Sequence, residues 1–276
     1  MAFADTDSAA GGTSPNRAAA PGISDVPGRW VIDWVAETGS TNADLAAFAR
    51  NGAVDGSVLV ADLQTAGRGR LGRTWEAPPG SSLMFSVLLR TREIPVRARS
   101  WLGAVVGLAI VEAINATPGP QAKLKWPNDI LIDGRKLAGV LAEMSGDAVV
   151  VGAGINVTQD ADELPVDTAT SLALSGRPGV DRAGLLRSIL DRLAPRLDRW
   201  SAASGDADAS GVAAEYRRHL DTLGAEVTAH LPGGAAITGV AVDLSPDGAL
   251  IIRDADGTRH TLAAGDVVHL RRSGTG

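Results

Sequence analysis

Cysteine is absent from all 276 residues, which excludes disulfides, thiolate metal sites and any covalent cysteine intermediate. Histidine is scarce as well. The four that occur, His219, His230, His260 and His269, fall late in the chain without zinc-ligand spacing and read as ordinary core or surface side chains. A surplus of positive charge is also lacking: 26 Lys and Arg face 32 Asp and Glu, and the net charge of -6 leaves no broad footprint for a polyanion. No secretory apolar segment opens the chain. Its most apolar stretch, Trp101 to Ile114, is broken by Glu112 and reads as too short to span a bilayer. Residues 1–28 have almost no large apolar side chains to repay the entropy of ordering, so a disordered tail is expected there. These absences describe a soluble, cytoplasmic protein.

A hydrophobic content of 45% is enough for one sizeable core with a smaller companion domain. Arg29 to Val35 reads as a strand, and Ser40-Thr41-Asn42 offers N-cap oxygens to a short helix from Ala43 to about Arg50, closed by Asn51-Gly52. Arg99 to Ala116 reads as a long buried helix stopping before Pro118-Gly119-Pro120. Lys123 to Val157 is a meander of strands, with Asp133-Gly134 as a two-residue hairpin turn. Helices return at Arg182 to Trp200 and at about Val212 to Leu223. Short alternating strands with Pro-Gly and Asp-Gly turns then predict a small β-barrel over 224–272. The fold class expected is α+β over 29–223, followed by an all-β unit.

Positive charge is concentrated at one place, Gly67-Arg68-Gly69-Arg70-Leu71-Gly72-Arg73. Apolar runs flank it, Val58-Leu59-Val60 before and Leu83 to Leu89 after, so it reads as a loop between strands. Glycine lets backbone N–H groups approach a ligand, and arginine supplies planar donors matched to phosphate and carboxylate. A small anion suits this loop better than a nucleic acid, because the Arg-Gly pattern does not repeat.

Three further segments stand out. In Lys123-Leu124-Lys125-Trp126-Pro127-Asn128-Asp129, the Asn-Asp pair either closes a proline turn or reads a base edge, holds a metal or orients a lysine. In Gly134-Arg135-Lys136-Leu137-Ala138-Gly139-Val140-Leu141, period two places Lys136, Ala138, Val140 and Ala142 on one strand face. Lys136 then sits either at an exposed edge or in a cleft against an anion. In Val149 to Val157, Gly152-Ala153-Gly154 lacks the third glycine and the helix of a dinucleotide loop, and reads as a backbone passing close to a ligand.

Together these segments resemble the biotin protein ligase family, through Ser40-Thr41-Asn42, Gln64, Gly67 to Arg73, Trp75, Lys125 to Asp129, Arg135 to Gly139 and Gly152 to Asn156, in that order across about Arg29 to Arg272. The resemblance implies a class II synthetase-like catalytic domain and an SH3-like C-terminal cap. It implies ATP with Mg²⁺ and biotin as ligands, and the biotin carboxyl carrier domain of an acyl-CoA carboxylase as partner. Ser40, Thr41, Asn42, Gln64, Gly67, Arg68, Gly69, Arg70, Lys136 and Gly139 would bind biotin. Arg70, Arg73, Trp75, Lys125, Asn128, Asp129, Lys136 and Asn156 would hold ATP and the adenylate, with Asp129 a candidate for the metal. Lys136, Arg68 and Arg70 would carry the chemistry.

The same resemblance implies that the basic loop closes over biotin and the adenylate, shielding the mixed anhydride from water. Bifunctional family members carry a DNA-binding module before the catalytic domain. The short tail before Arg29 leads to an expectation of no operator binding and of a monomer. A lipoate–protein ligase is the nearest enzymatic alternative, a nucleic-acid-binding module whose loop contacts phosphates the alternative of another class, and a non-catalytic biotin sensor a third.

Overall fold

Strand after strand in this chain alternates apolar residues with a second set of small or polar ones, and that alternation builds a layered domain. The computed structural model describes residues 28–231, 235–263 and 265–269. The tail expected over 1–28 lies outside the described residues except for Gly28, as do residues 270–272 of the C-terminal unit.

Seven strands form one sheet in the order β1-β2-β3-β7-β6-β5-β4. They are β1 (Val31–Thr38), β2 (Ser57–Gln64), β3 (Ser82–Arg90), β4 (Ala122–Lys125), β5 (Asp129–Ile132), β6 (Arg135–Ser145) and β7 (Ala148–Asn156). The β1–β2 pair is parallel and the other pairs are antiparallel. Asp133 and Gly134 both take positive φ (49° and 73°) in the β5–β6 turn, the geometry that an Asp-Gly hairpin favours.

One face of the sheet meets α2 (Leu102–Asn115), with α3 (Arg182–Ala202) and α4 (Val212–His219) packed beyond it. Leu83, Phe85, Val87 and Leu89 of β3 and Val149, Val151, Ala153 and Ile155 of β7 enter this main core. The opposite face is covered by α1 (Thr41–Arg50) at one end only, over Leu59, Ala61, Leu88 and Val150. Toward the start of α1 and beyond it, the same face carries the small residues Ser86, Gly139, Gly152 and Gly154, which leave room above the sheet.

Several boundaries differ from expectation for local reasons. The long helix begins as a 3₁₀ turn at Val96–Trp101 before α2. With that turn the stretch is 20 residues, long and apolar enough by length and composition to cross a membrane, which corrects the sequence reading; 61% of its most apolar window is buried in the protein. The last helix stops at His219 because Leu220 turns extended (φ −86°, ψ 105°) and bridges Leu124.

The C-terminal unit is a five-stranded antiparallel sheet in the order β11-β10-β9-β8-β12, built from β8 (Glu226–His230), β9 (Ala236–Leu244), β10 (Leu250–Arg253), β11 (Arg259–Leu262) and β12 (Asp266–His269). Two tryptophans of the first domain fasten it: Trp101 Nε1 donates to Pro246 O (2.8 Å) and Trp126 Nε1 to Gly248 O (3.0 Å).

The three core helices are joined by a buried arginine. Arg196 of α3 pairs with Glu112 of α2 (2.8 Å) and Glu215 of α4 (2.9 Å), with its side chain 5% exposed. Arg199 also reaches Glu215 (2.8 Å) but is 48% exposed. Arg196→Ala is expected to lower unfolding free energy by about 3 kcal/mol, and Arg199→Ala by less than about 1 kcal/mol. Denaturant unfolding checks this; equal losses would contradict the account.

Candidate active site

The open part of the sheet face is roofed by the basic loop and closed at one end by the start of α1. The resulting cleft is narrow, about 100 Å³ in volume. Its lining includes Ser40, Thr41, Asn42, Gln64, Arg68, Gly69, Arg70, Arg73, Trp75, Lys125, Asn128, Asp129, Lys136 and Gly139. Four scattered sequence segments thus converge on one place. Gly67 and Asn156 are the two predicted residues outside that lining.

At the closed end, Ser40 is the N-cap of α1, its Oγ accepting from Ala43 N (3.5 Å). Thr41 and Asn42 follow on the first turn and are buried despite their polarity. Gln64, at the end of β2, accepts through Oε1 from Thr41 N (2.8 Å) and lies 3.1 Å from Thr41 Oγ1. Sequence reasoning missed Ser86, which is fully buried on β3 with Oγ 2.8 Å from Thr41 Oγ1 and 2.6 Å from Asn42 Oδ1. The available signal was a lone hydroxyl inside the apolar run Leu83 to Leu89.

The basic loop folds as a small turn. Gly69 N donates to Arg73 O (2.6 Å), Trp75 N donates to Gly67 O (3.0 Å), and Arg68 bridges Thr74. A Cβ on Gly67 would lie 2.3 Å from Trp75 O, so no side chain fits at that neck. At the tip Leu71 takes a left-handed conformation (φ 57°) and is 69% exposed. Arg70 Nη1 donates to Asn128 Oδ1 (3.3 Å), while Asn128 Nδ2 donates to Val140 O (3.0 Å).

Lys136 does not share a face with Ala138, Val140 and Ala142, as simple period two requires. A bulge interrupts the β5–β6 register: Ile130 faces Ala138, but Leu131 faces Lys136, leaving Leu137 as the extra residue. The bulge buries Leu137 in the main core and turns Lys136 to the cleft, beside Gly139. There Lys136 Nζ lies 2.7 Å from Asp129 Oδ1, an ion pair across the hairpin. Of the two sequence readings of Lys136, the cleft is the one found, with a protein carboxylate beside it.

The β7 glycines make room for protein side chains. A Cβ on Gly152 would come within 2.2 Å of Asn42 Oδ1, and one on Gly154 within 2.4 Å of Trp75 Cε2. The Trp75 indole therefore packs against Gly154, and its Nε1 is buried without an acceptor among the described residues. Asn156 is turned inward: Nδ2 donates to Thr170 O (2.9 Å), and Oδ1 accepts from Gln159 Nε2 (3.1 Å). It lines a wider adjoining cavity that shares Arg73, Trp75, Lys125, Asp129 and Lys136 with the cleft.

The C-terminal sheet reaches the cleft with Gly265 and Val267 and the adjoining cavity with His269. Burial, then the nearby Lys125 charge, push the His269 pKa down, with Asp221 opposing. Among the described residues no group of three or more His, Asp or Glu could hold a metal ion. A hard cation here would have to be carried mainly by ligand oxygens and water, with Asp129 the carboxylate that lines the cleft among the described residues.

Residues 37–160 match the biotin/lipoate A/B protein ligase family, and residues 222–270 match the biotin protein ligase C terminal domain. Over 244 residues the chain is 44% identical to the biotin–[acetyl-CoA-carboxylase] ligase of Mycobacterium tuberculosis, covering 87% of this chain and 89% of that protein. The biotin protein ligase from Aquifex aeolicus in complex with biotin and ATP is similar in structure, with a TM-score of 0.72 and 33% identity over 87% of this chain and 99% of that one. A Leishmania major biotin protein ligase in complex with biotinyl-5-AMP gives a TM-score of 0.59 and 26% identity over 84% and 98%.

The glycine geometry has a direct test. Gly154→Ala forces Trp75 from its seat and is expected to cost about 1–3 kcal/mol of stability. Gly103→Ala on α2, where the added Cβ meets only Ala142 at 3.9 Å, is expected to gain about 0.5–1 kcal/mol. Thermal unfolding of both variants checks the order, and a neutral Gly154→Ala would contradict the packing of Trp75.

Proposed function

Since the chain belongs to the biotin protein ligase family, we propose that it activates biotin with ATP as biotinyl-5′-AMP and transfers the biotinyl group to a lysine of a biotin carboxyl carrier domain of an acyl-CoA carboxylase. The observation that carries this reading is the Lys136–Asp129 pair beside the three-arginine loop, at the mouth of a slot closed by polar side chains. An acid with a polar ring fits that shape, carboxylate outward.

In the first step a biotin carboxylate oxygen attacks the α-phosphorus of ATP, and pyrophosphate leaves with the electrons of the broken P–O bond. In the second, the acceptor lysine amine attacks the acyl carbon, forms the amide, loses a proton and releases AMP. Neither step needs a protein nucleophile, consistent with a chain that has no cysteine. The work is positioning and the stabilisation of developing charge.

Ser40, Thr41 and Gln64 are assigned to the ureido ring, with Asn42 and Gly139 shaping the slot. Arg68, Arg70 and the Gly69 backbone, presented from Gly67, are assigned to the carboxylate and phosphates. Arg73 is placed at the phosphates. Lys136 stands where charge gathers as oxygen meets phosphorus, and Asp129 orients it. Trp75 covers the adenine with Asn128 at its edge. Lys125 belongs to the phosphate or acceptor side. For Asn156, whose amide is held within the protein, a supporting role beneath the adenine fits better than direct contact. Mg²⁺, when bound, would screen the phosphates, with Asp129 the residue able to approach it.

The reading includes a catalytic domain over 29–223 and a cap over 224–272, a monomeric cytoplasmic enzyme without a nucleic-acid partner, and a basic loop that closes over its ligands. The acidic balance of the chain and the inward reach of Gly265 and Val267 support it.

Pyrophosphate release with MgATP tests the proposal. Release is expected to require biotin and to fall about 10²–10³-fold in Lys136→Ala and in Arg68→Ala, the scale of one lost charge contact in a transition state. No release with biotin still bound would make the protein a sensor, and release driven better by lipoate would make it the lipoate enzyme.

A further inference from the structure

The buried polar side chains behind the closed end of the cleft form a hydrogen-bond chain with one allowed direction. Asn42 gives away both amide hydrogens, to Leu141 O (3.2 Å) and to Glu143 Oε2 (2.7 Å). A carbonyl and a carboxylate only accept, so the amide orientation is forced and Oδ1 must itself accept. Ser86 Oγ, 2.6 Å away, therefore spends its single proton on Asn42 Oδ1. Ser86 cannot then donate to Thr41, so the Thr41 proton goes to Ser86 Oγ (2.8 Å) or Gln64 Oε1 (3.1 Å).

Either way Thr41 offers the cleft a lone pair and no proton. Gln64 Oε1 is held by Thr41 N, which directs Nε2 to the other side, where its contact is the weak acceptor Met84 Sδ (3.4 Å). Ser40 Oγ accepts from Ala43 N, and among the described residues no acceptor takes its proton. The end wall thus presents two donors, Ser40 and Gln64, and one acceptor, Thr41. Gly152 is part of the same arrangement, because a Cβ there would stand 2.2 Å from Asn42 Oδ1.

The geometry points to Glu143 as the positioning residue that sets this polarity from outside the cleft lining, making the slot selective for a cyclic urea over a cyclic guanidine. A urea offers an acceptor oxygen to the wall donors and N–H groups to Thr41. A protonated guanidine replaces that oxygen with N–H groups that meet donors. Buried polar groups left unpaired by the wrong ligand discriminate strongly. The inference rests on the ligase reading above.

Glu143→Gln keeps the size of the side chain but replaces the charged acceptor with an amide that can also donate. That leaves Leu141 O, at 3.2 Å, as the remaining obligate acceptor holding the Asn42 amide, and loosens the direction of the chain. Adenylate formation is measured with biotin, with 2-iminobiotin as competitor. The variant is expected to raise the biotin KM about 10-fold, with kcat and the ATP KM within about twofold, and to lower the preference for biotin over 2-iminobiotin by about 10-fold or more. Glu143→Asp, which retains the acceptor, is expected to restore the preference. Ser86→Ala cuts the chain at its middle and is expected to weaken the preference too, so it serves if Glu143→Gln does not fold.

An unchanged preference in Glu143→Gln and Ser86→Ala overturns the inference. So does a parallel rise in biotin and ATP KM with loss of thermal stability, which marks a merely structural role. Absence of biotin-dependent turnover in the unsubstituted protein is a different result, and overturns the ligase reading instead.

Discussion

The site depends on one irregularity in an otherwise regular sheet, the bulge that places Leu137 in the core and Lys136 in the cleft. Without it, strand alternation would put Lys136 with Ala138 and Val140 against α2, where a lysine has no partner. With it, the ammonium stands 2.7 Å from Asp129 Oδ1 across a tight hairpin and under the basic loop. A cation held this way is oriented before any ligand arrives, which is what the proposed stabilisation of charge on phosphorus requires. The Asp-Gly turn at 133–134 keeps the two strands in that register.

Around this pair the sheet gives up packing to create space. β3 and β7 are buried throughout on their core faces, yet on the other face their residues change from Leu88 and Val150 under α1 to Ser86, Gly152 and Gly154 beyond it. The empty half-face is filled by three things in turn: the Asn42 amide, the Trp75 indole and the cleft itself. The C-terminal sheet contributes from the far side, anchored by Trp101 and Trp126, so that the loop containing Asn128 and Asp129 is held between two domains. Trp126 N further donates to the hydroxyl of Thr222, which itself lies 3.1 Å from His269 Nε2. The Lys125–Asp129 end of the cleft and the domain junction are therefore one connected structure.

Much of this was legible in the residues. The Arg-Gly loop, the helix cap at Ser40 and the Asp-Gly hairpin are local signals, and each produced the element expected of it. The family resemblance assembled them into one site, and the cleft brings together 14 of the 16 residues it nominated. What failed were inferences that depend on long-range geometry. Period two misassigned Lys136 because a bulge leaves no mark in a hydrophobicity pattern. Ser86 and Glu143 went unnoticed because their meaning lies in Asn42, 44 and 101 residues away along the chain. The β7 glycines were read as clearance for a ligand, whereas the space they open is taken first by Asn42 and Trp75.

The central claim is that Lys136 acts on phosphorus, in the activation step, with no part in the bond-making of transfer. The direct test supplies purified biotinyl-5′-AMP to the unsubstituted protein and to Lys136→Met, then compares transfer to a carrier-domain lysine with adenylate formation from biotin and ATP. The account predicts a large loss in adenylate formation and near-normal transfer from the supplied adenylate. Equal losses in both steps would contradict it, and would make Lys136 a general anchor for the ligand.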